Sequence, residues 1–317
     1  MSVPAAAGTR TATTDPPVPS PRKARAPKLP WVLLVPTFVI LGIITAYPVV
    51  RLVIMSFQEY TAAQLYGTPA EWIGFDNYVE VLTDPEFHGV ILRSLGLMIV
   101  CVVLTMVLGT LVALLMMRLG KGMRTMVSVG LLLAWGMPAL TATIVWGWIV
   151  DPNGILNYLL SVITGDDWSG HSWLANPISF LAVAAVIIVW GAVPFVCFTM
   201  YAGLTQIPGE VLEAAQLDGA GKVKTFRLIQ IPFVTSIIAV LVVLSVIWDL
   251  RVFAQIYALQ GMGGVAAENS TIGVYIYQTA FSSANYGLAS AMGVILTIAL
   301  MAISYVYIRR TVKEEGL

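Results

Sequence analysis

A cluster of polar side chains interrupts a long apolar run in the second half of the chain. It consists of Trp248, Asp249, Arg251 and Gln255. In a helix, Trp248, Arg251 and Gln255 lie on one face because they are three and four residues apart. An indole ring packs against the CH groups of a sugar, and guanidinium and amide groups form directional hydrogen bonds with hydroxyls. This face therefore predicts a sugar-contacting surface.

The two charges in this cluster also have an alternative interpretation. Asp249 and Arg251 are two residues apart, so they do not face each other on a helix. Each needs a separate partner, unless the helix is broken there. Ionisable residues within a membrane span line cavities or pair with neighbours. The sequence leaves open whether these two residues contact a substrate or hold neighbouring spans or a partner subunit.

A second polar stretch, EAAQLDGAGKVKTFRLIQIP, extends from Glu213 to Pro232 between two apolar segments. Pro208 suits the first turn of a helix, where its missing N–H would be unpaired anyway. Glu210 and Glu213 lie near that start, where the helix dipole favours negative charge. Gly219 accepts the left-handed conformation that ends many helices. The pattern predicts a short helix with small alanines on its surface, which would allow a partner to approach closely.

The composition is that of a membrane protein. The chain of 317 residues is 58% hydrophobic and 11% charged, whereas soluble proteins are about 45–50% apolar and about 25% charged. The net charge of zero gives no indication of nucleic acid, and no nucleic-acid partner is expected. Cys101 and Cys197 fall within apolar runs and are predicted to be buried thiols. His88 and His171 are isolated, so no metal site is predicted.

Six apolar segments are long enough, or nearly so, to cross the hydrocarbon core, which takes about 20 residues of helix. Backbone groups in lipid must be satisfied within each segment, so the segments are predicted to be helices. The fold class is therefore an all-α, polytopic membrane protein with six transmembrane helices. The predicted spans are residues 31–53, 94–117, 126–150, 178–204, 233–259 and 288–308.

The chain divides into three predicted parts. Residues 1–29 are rich in Pro, Ala, Thr and basic residues and are predicted to be a disordered cytoplasmic tail. Residues 30–309 form the membrane domain, which includes the polar loop 205–232. Residues 310–317 form a second cytoplasmic tail. The first apolar run is too long for a signal peptide and is interpreted as a retained span.

The distribution of basic residues predicts that both termini are cytoplasmic, because cytoplasmic loops carry an excess of Lys and Arg. Alternate connections contain these residues, whereas the connections on the other side are acidic. The basic residues on the predicted inner side are Arg118, Lys121, Arg124, Lys222, Lys224, Arg227, Arg309, Arg310 and Lys313.

Two outer loops have recognisable patterns. Apolar residues recur at helical spacing in residues 153–165, and Gly165 stops the pattern, which predicts a short surface helix. The first outer loop contains Trp72, Phe75 and Tyr78 among acidic residues. These rings are typical of an interfacial belt and equally of a docking surface for an external partner.

Three classes of membrane protein are consistent with six spans. A proton- or sodium-driven transporter usually has buried carboxylates in several spans and an internal repeat, but only Asp249 fits. A membrane enzyme needs a clustered nucleophile, base or metal set, and none is found. The chain has no GxxxxGK[ST] phosphate loop, so any ATP-driven role requires an ATPase in another chain.

The polar loop resembles the cytoplasmic coupling loop of permease subunits in binding-protein-dependent ABC importers. Their pattern is EAA, three residues, Gly, nine residues, Ile, one residue, Leu-Pro. Here Ile231 replaces the Leu. Asp218-Gly219-Ala220 resembles the carbohydrate branch of the family, as do AYPVVRLVIMSF, GFDNYVEVLTDPEF and IYQTAFSSANYGLASAMGVIL. The residues that match the loop motif, together with this Asp, are Glu213, Ala214, Ala215, Asp218, Gly219, Ile229 and Pro232.

The resemblance extends over nearly the whole chain beyond the first tail. It is nearest to the maltose-type and glycerol-phosphate-type first permease, and the chain is also similar to the first permease of actinobacterial trehalose importers. The resemblance implies a bacterial plasma-membrane subunit that transports a disaccharide or small oligosaccharide and catalyses no covalent chemistry. It further implies a second homologous permease, two copies of an ATPase that bind ATP and Mg, and an extracellular solute-binding lipoprotein. No cofactor is expected on this chain.

Overall fold

The computed structural model describes residues 29–314. Of the predicted first tail only Leu29 is included, and it begins the first helix; the other 28 residues lie outside the described part. The predicted second tail is described as far as Glu314, and its residues 310–314 continue the last helix. The chain divides into two compact units, residues 1–49 and 50–317.

The first unit contains α1 (Leu29–Leu41), a π-helical turn (Gly42–Ala46) and the start of α2 (Tyr47–Met55). Pro48 has no N–H to donate to the carbonyl four residues earlier, which disrupts the helical ladder. The wider π-helical turn directly before it accommodates this loss. Leu33–Met55 is long and apolar enough to cross a membrane, which confirms the first predicted span within two residues at each end.

The second unit begins with small elements that form an outer layer. Asn77 is buried and anchors this layer, because its amide donates hydrogen bonds of 3.0 Å each to the carbonyls of Ser56 and Gln58. The two strands are antiparallel, and Gln58 is paired with Trp72. The elements are β1 (Gln58–Glu59), α3 (Ala62–Leu65), β2 (Glu71–Trp72) and α4 (Asp76–Thr83).

Two long helices, α5 (Pro85–Arg118) and α9 (Pro177–Leu204), form the centre of the unit. Both begin with a proline that follows a capping side chain, and each cap accepts a backbone N–H at 2.9 Å. The two helices approach closely at Gly109, where an added Cβ would lie 2.6 Å from Cγ1 of Val196. The core beside this contact is apolar and includes Met116 and Met200. The second and fourth predicted spans are confirmed, although the second helix begins nine residues earlier than predicted.

The third predicted span is not one continuous helix. It consists of α6 (Lys121–Gly136) and α7 (Ala139–Ile149), which meet at an angle of 102°. Pro138 causes the break, since proline disfavours the helical conformation of the residue before it. Met137 accordingly has extended backbone angles, with φ −74° and ψ 127°. The pair counts as the sixth span only if the two helices are taken together.

The predicted surface helix is confirmed as α8 (Ile155–Thr164). It ends at Gly165, which has a φ of +79°. This is the left-handed conformation expected of a glycine that ends a helix. Asn157 is buried and fixes the following loop, because its amide donates to the carbonyl oxygens of Pro152 and His171 at 2.9 and 2.8 Å. Trp173 donates to the Asn157 side chain at 2.6 Å.

The fifth predicted span is confirmed by the apolar segment Thr235–Gly261, which is long enough to cross a membrane, but its helix is interrupted. It consists of α13 (Thr235–Leu250) and α14 (Ala254–Gly261), separated by Arg251–Phe253. Trp248 and Gln255 therefore do not share a face of one helix, which corrects the prediction from spacing. The chain then forms α15 (Ala266–Asn269), α16 (Ile272–Phe281) and the last span, α17 (Tyr286–Glu314).

The polar loop after α9 folds into three short helices and a π-helical turn. They are α10 (Gly209–Leu217), α11 (Lys222–Thr225), the turn Phe226–Gln230 and α12 (Ile231–Phe233). Within residues 29–314 the structure thus has five helices that could each cross a membrane, and six spans when the bent pair is counted as one. The all-α, polytopic fold class is confirmed.

Candidate functional site

The loop helix α10 ends in a complete Schellman motif. Gly219 has a φ of +73°, and its N–H donates to the carbonyl of Gln216 at 3.0 Å. The next N–H, that of Ala220, donates to the carbonyl of Ala215 at 2.9 Å. These are the two bonds that define the motif. An added Cβ at Gly219 would meet no atom of residues 29–314 within 4 Å, so the backbone angle alone explains the need for glycine there.

The three residues of the EAA triplet have different environments. Glu213 and Ala214 are exposed, whereas Ala215 is only 7% exposed. Leu212 packs on the same side, against the core that contains Leu204 and Ile207. Ala215 therefore faces the bundle, which corrects the expectation that both alanines lie on the free surface.

A large apolar side chain on the free side of α10 was missed by the sequence reasoning. Leu217 is 88% exposed, and Val223 in α11 is 80% exposed. Leu217 is two residues beyond the buried Ala215, so it lies away from the buried face of the helix. This spacing is the signal by which it could have been found. Asp218 is also exposed and forms the C-terminal cap of the helix.

The remaining loop residues link α11 to span five. Pro232 lies in the first turn of α12, and the preceding π-helical turn closes with a bond from the N–H of Ile231 to the carbonyl of Phe226. Proline removes one backbone donor, which favours such a wider turn. Ile229 is half-buried within this turn. The EAA-type residues are therefore spread over the whole loop, with only the first five on or directly beside α10.

Arg124 in α6 contacts the C-terminal ends of α5 and α9. Its guanidinium donates to the carbonyl oxygens of Met116 and Leu119 at 3.1 and 2.9 Å, and it lies 5.7 Å from the ring centre of Tyr201. A cavity of about 630 Å³ separates the end of α5 from the loop. The lining residues include Arg118, Leu212, Gln216 and Lys222.

A second cavity, of about 450 Å³, contains all four residues predicted to contact a sugar: Trp248, Asp249, Arg251 and Gln255. We call it the central cavity. The break between α13 and α14 brings these residues together, although they do not share a helical face. The cavity also lies beside the bend at Pro138, since residues on both sides of that bend line it. Both interruptions of the spans therefore open onto the same space.

Three aromatic residues of the central cavity were not predicted: Trp135, Trp190 and Phe253. Trp248 packs edge to face against Phe195 at 5.1 Å, and Phe195 in turn stacks with Trp135 at 6.3 Å. A tryptophan three residues before a proline inside an apolar run was the available signal for Trp135. The cavity thus combines several aromatic rings with one carboxylate, one guanidinium and one amide.

A hydrogen-bonded network holds the chain that follows the cavity. The side chains of Gln260, Ser270 and Gln278 form a closed ring with distances of 2.9–3.1 Å. Arg93 donates to the carbonyl of Ser270 at 3.2 Å, which ties this ring to α5. Tyr275 donates to the carboxylate of Asp84 at 3.2 Å. Burial and the nearby acidic groups raise the pKa of Tyr275 to about 12.

The fold and these sites define a membrane-embedded transport subunit. The family described as "binding-protein-dependent transport system inner membrane component" matches residues 106–314. The match extends from the middle of α5 to the end of α17 and includes the loop and the central cavity. The chain belongs to this family. It is a multi-pass permease subunit of an ABC transport system, and it is not an enzyme.

Individual relatives agree with this assignment. The chain is 38% identical to the diacetylchitobiose uptake system permease DasB of Streptomyces coelicolor, over 90% of this chain and 87% of that protein. It is 28% identical to the trehalose transport system permease SugA of Mycobacterium tuberculosis, over 89% and 88% of the two chains. A crystal structure of a bacterial ABC transporter that imports alginate aligns with a TM-score of 0.74 and 25% identity, over 89% of this chain and 95% of that one.

Proposed function

We infer that the chain forms half of the translocation path of an ATP-driven importer for a disaccharide or small oligosaccharide. The central cavity carries this inference, because its tryptophans offer flat apolar faces and its charged and amide groups offer directional hydrogen bonds. A sugar has both kinds of surface. The relatives that transport diacetylchitobiose and trehalose support the same class of substrate.

The loop α10–α12 is proposed as the contact to a cytoplasmic ATPase that binds ATP and Mg. Leu217 supports this role, since a leucine that is 88% exposed at the end of a rigidly capped helix suits an apolar groove on a partner. Asp218 supports it as well. A negative charge at a helix C-terminus is unfavourable by about 0.3–1 kcal/mol at low ionic strength, so a basic group on the partner would offset that cost.

The complete importer in this proposal contains a second homologous permease, two ATPase subunits and an extracellular solute-binding lipoprotein. Both termini of this chain lie in the cytoplasm, on the side of the basic loops. ATP binding closes the ATPase pair, and the movement reaches the central cavity through the docked loop. This chain itself binds no cofactor.

Two sugars are the leading candidates. The 38% identity to the DasB permease favours diacetylchitobiose, and the 28% identity to SugA keeps trehalose as the alternative. Uptake of the two radiolabelled sugars by cells with and without this chain will separate them. If the cells take up neither of these sugars and do not take up maltose, the proposed substrate class is contradicted.

The contact role of the polar cavity residues is tested by Arg251→Gln and Gln255→Leu. Both changes are expected to reduce uptake at least tenfold while the second permease and the ATPase still co-purify with the tagged chain. Trp148→Leu is a matched control, because Trp148 is 70% exposed and does not line the central cavity. Loss of the second permease from the purified Arg251→Gln complex would instead assign Arg251 to assembly.

A further inference from the structure

Six aromatic rings form a continuous row that leads away from the central cavity. The row begins at Phe253, which lines the cavity. Phe253 stacks on Tyr257 at 5.3 Å, and both rings contact Tyr277 at 5.2 Å. The row then passes to Phe281 at 4.8 Å, to Tyr286 at 6.1 Å and to Tyr60 at 6.3 Å. We call these six residues the aromatic row.

The aromatic row crosses several levels of the protein. Phe253 lies in the break of span five, beside the central cavity, whereas Tyr286 is the first residue of α17. Tyr60 belongs to the outer layer and is held there by its carbonyl, which accepts the N–H of Gly287 at 2.9 Å. Aromatic residues of an interfacial belt collect at the level of the lipid headgroups. A row that continues inward to a cavity has a different geometry.

The aromatic row also differs from the exposed face of α5. The large apolar residues exposed on α5 are all aliphatic, and they include Leu92, Ile99 and Val103. In the aromatic row four of the six residues are tyrosines, and the most exposed rings are Phe281 at 65% and Tyr257 at 45%. A tyrosine combines an apolar face with a hydroxyl that donates and accepts hydrogen bonds. Lipid chains offer no partner for that hydroxyl.

We propose that the aromatic row is an extended binding track on which an uncharged glycan stacks as it moves between the outer mouth and the central cavity. This inference rests on the proposed function and adds a second binding element to it. Successive rings are 4.8–6.3 Å apart, so a sugar chain can engage the next ring before it leaves the last. The six side chains carry no formal charge, which favours neutral glycans over acidic ones.

The test uses the whole complex, purified with its partner subunits and reconstituted in nanodiscs and proteoliposomes. The probes are radiolabelled diacetylchitobiose, trehalose and maltotetraose, with an alginate tetrasaccharide as the acidic competitor. Tyr277→Leu and Phe281→Leu remove a ring and keep an apolar side chain. Tyr277→Phe and Phe281→Tyr keep the ring. Tyr305→Leu removes an exposed ring outside the aromatic row.

The wild-type complex is expected to import at least one neutral probe, and the alginate tetrasaccharide is not expected to compete. Each Leu variant should bind the imported probe about three- to tenfold more weakly, from the loss of one aromatic contact. The ring-keeping variants and Tyr305→Leu should bind as the wild type does. The Leu variants should still co-purify with the second permease.

Three results would overturn the track. The first is unchanged binding and import in both Leu variants. The second is loss of the second permease from these variants, which would make the aromatic row a subunit interface. The third is competition by the acidic glycan equal to that of the neutral probe. Failure of the proposed function is distinct, because the wild-type complex would then import none of the three neutral probes.

Discussion

The Schellman motif at Gly219 gives a quantitative prediction for the loop. Gly219 and Gly221 are two residues apart, and an added Cβ at either would meet nothing within 4 Å in the described part of the chain. They differ in backbone conformation, since φ is +73° at Gly219 and −67° at Gly221. The same substitution at the two positions therefore isolates the effect of the backbone angle.

A Cβ in the left-handed conformation costs about 1–2 kcal/mol. Gly219→Ser should therefore lower the ratio of capped to uncapped loop by a factor of about 5–30. Gly221→Ser should have little effect or a favourable one, because Gly221 is the N-cap of α11 and serine is a preferred residue there. Gly219→Asn should lie between the wild type and Gly219→Ser, since asparagine tolerates the left-handed region.

The assay measures the affinity of the membrane complex for its ATPase and the ATPase activity stimulated by the loaded binding protein. Membrane insertion, followed by the yield of the tagged chain, should be equal in all four proteins. Equal affinity of the two serine variants would refute the conformational argument. If Gly219→Asn binds the ATPase more weakly than Gly219→Ser, the larger side chain collides with the ATPase. Side-chain size rather than backbone angle then determines the affinity.

Three further predictions concern other parts of the molecule. Leu217→Asp should reduce co-purification of the ATPase at least tenfold at normal insertion, whereas retained ATPase would exclude this leucine from the contact. Gly109→Ala should lower the stability of the bundle by about 1–3 kcal/mol through the clash with Val196, seen as a lower Tm. Val196→Ala should relieve only part of that loss, because Cβ of residue 196 stays 2.8 Å from the added methyl group. Neutral Tyr275 is favoured in the folded state, so the contribution of Tyr275 to stability should be constant below pH 10 and fall as the pH approaches 12. Tyr275→Phe should remove that fall in thermal melts, although it also loses the hydrogen bond to Asp84.

Most of the span pattern follows from the sequence because lipid imposes two simple requirements. A crossing helix must be about 20 apolar residues long, and its backbone groups must be satisfied within the segment. The predicted ends of α9 accordingly differ from the structure by one residue at most. The end of α10 was predictable for a similar reason, since Gly219 is the residue type that its left-handed angle requires.

The breaks within spans three and five were less accessible. Pro138 predicts a break in the helix, but a proline by itself does not specify an angle of 102° between the two helices. The break at Arg251–Phe253 contains neither proline nor glycine. The only sequence signal for it was the close spacing of the charged residues Asp249 and Arg251. The aromatic row joins residues as distant in sequence as Tyr60 and Tyr286, so it depends on tertiary contacts that a single sequence does not contain.

The two breaks meet at one cavity for a physical reason. Irregular backbone at membrane depth is tolerated only where it is buried in protein or lines a water-filled space. In span five the freed carbonyl of Val252 has the hydroxyl of Thr271 at 3.5 Å, and the neighbouring Arg251 and Phe253 line the central cavity. The central cavity and the surrounding protein therefore meet this condition for both breaks, and in the proposed function the same cavity receives the substrate.

One helix connects this cavity to the loop. Residues 187, 188 and 190–192 of α9 line the central cavity, and α9 ends at Leu204, five residues before α10 begins. The helical rise of 1.5 Å per residue places Trp190 about 21 Å from that end. Close packing against α5 at Gly109 restricts sideways bending of the pair. In the proposed mechanism, a displacement of the docked loop therefore moves the cavity wall by nearly the same amount. Gly109→Ala should weaken this transmission of movement even where the complex still assembles.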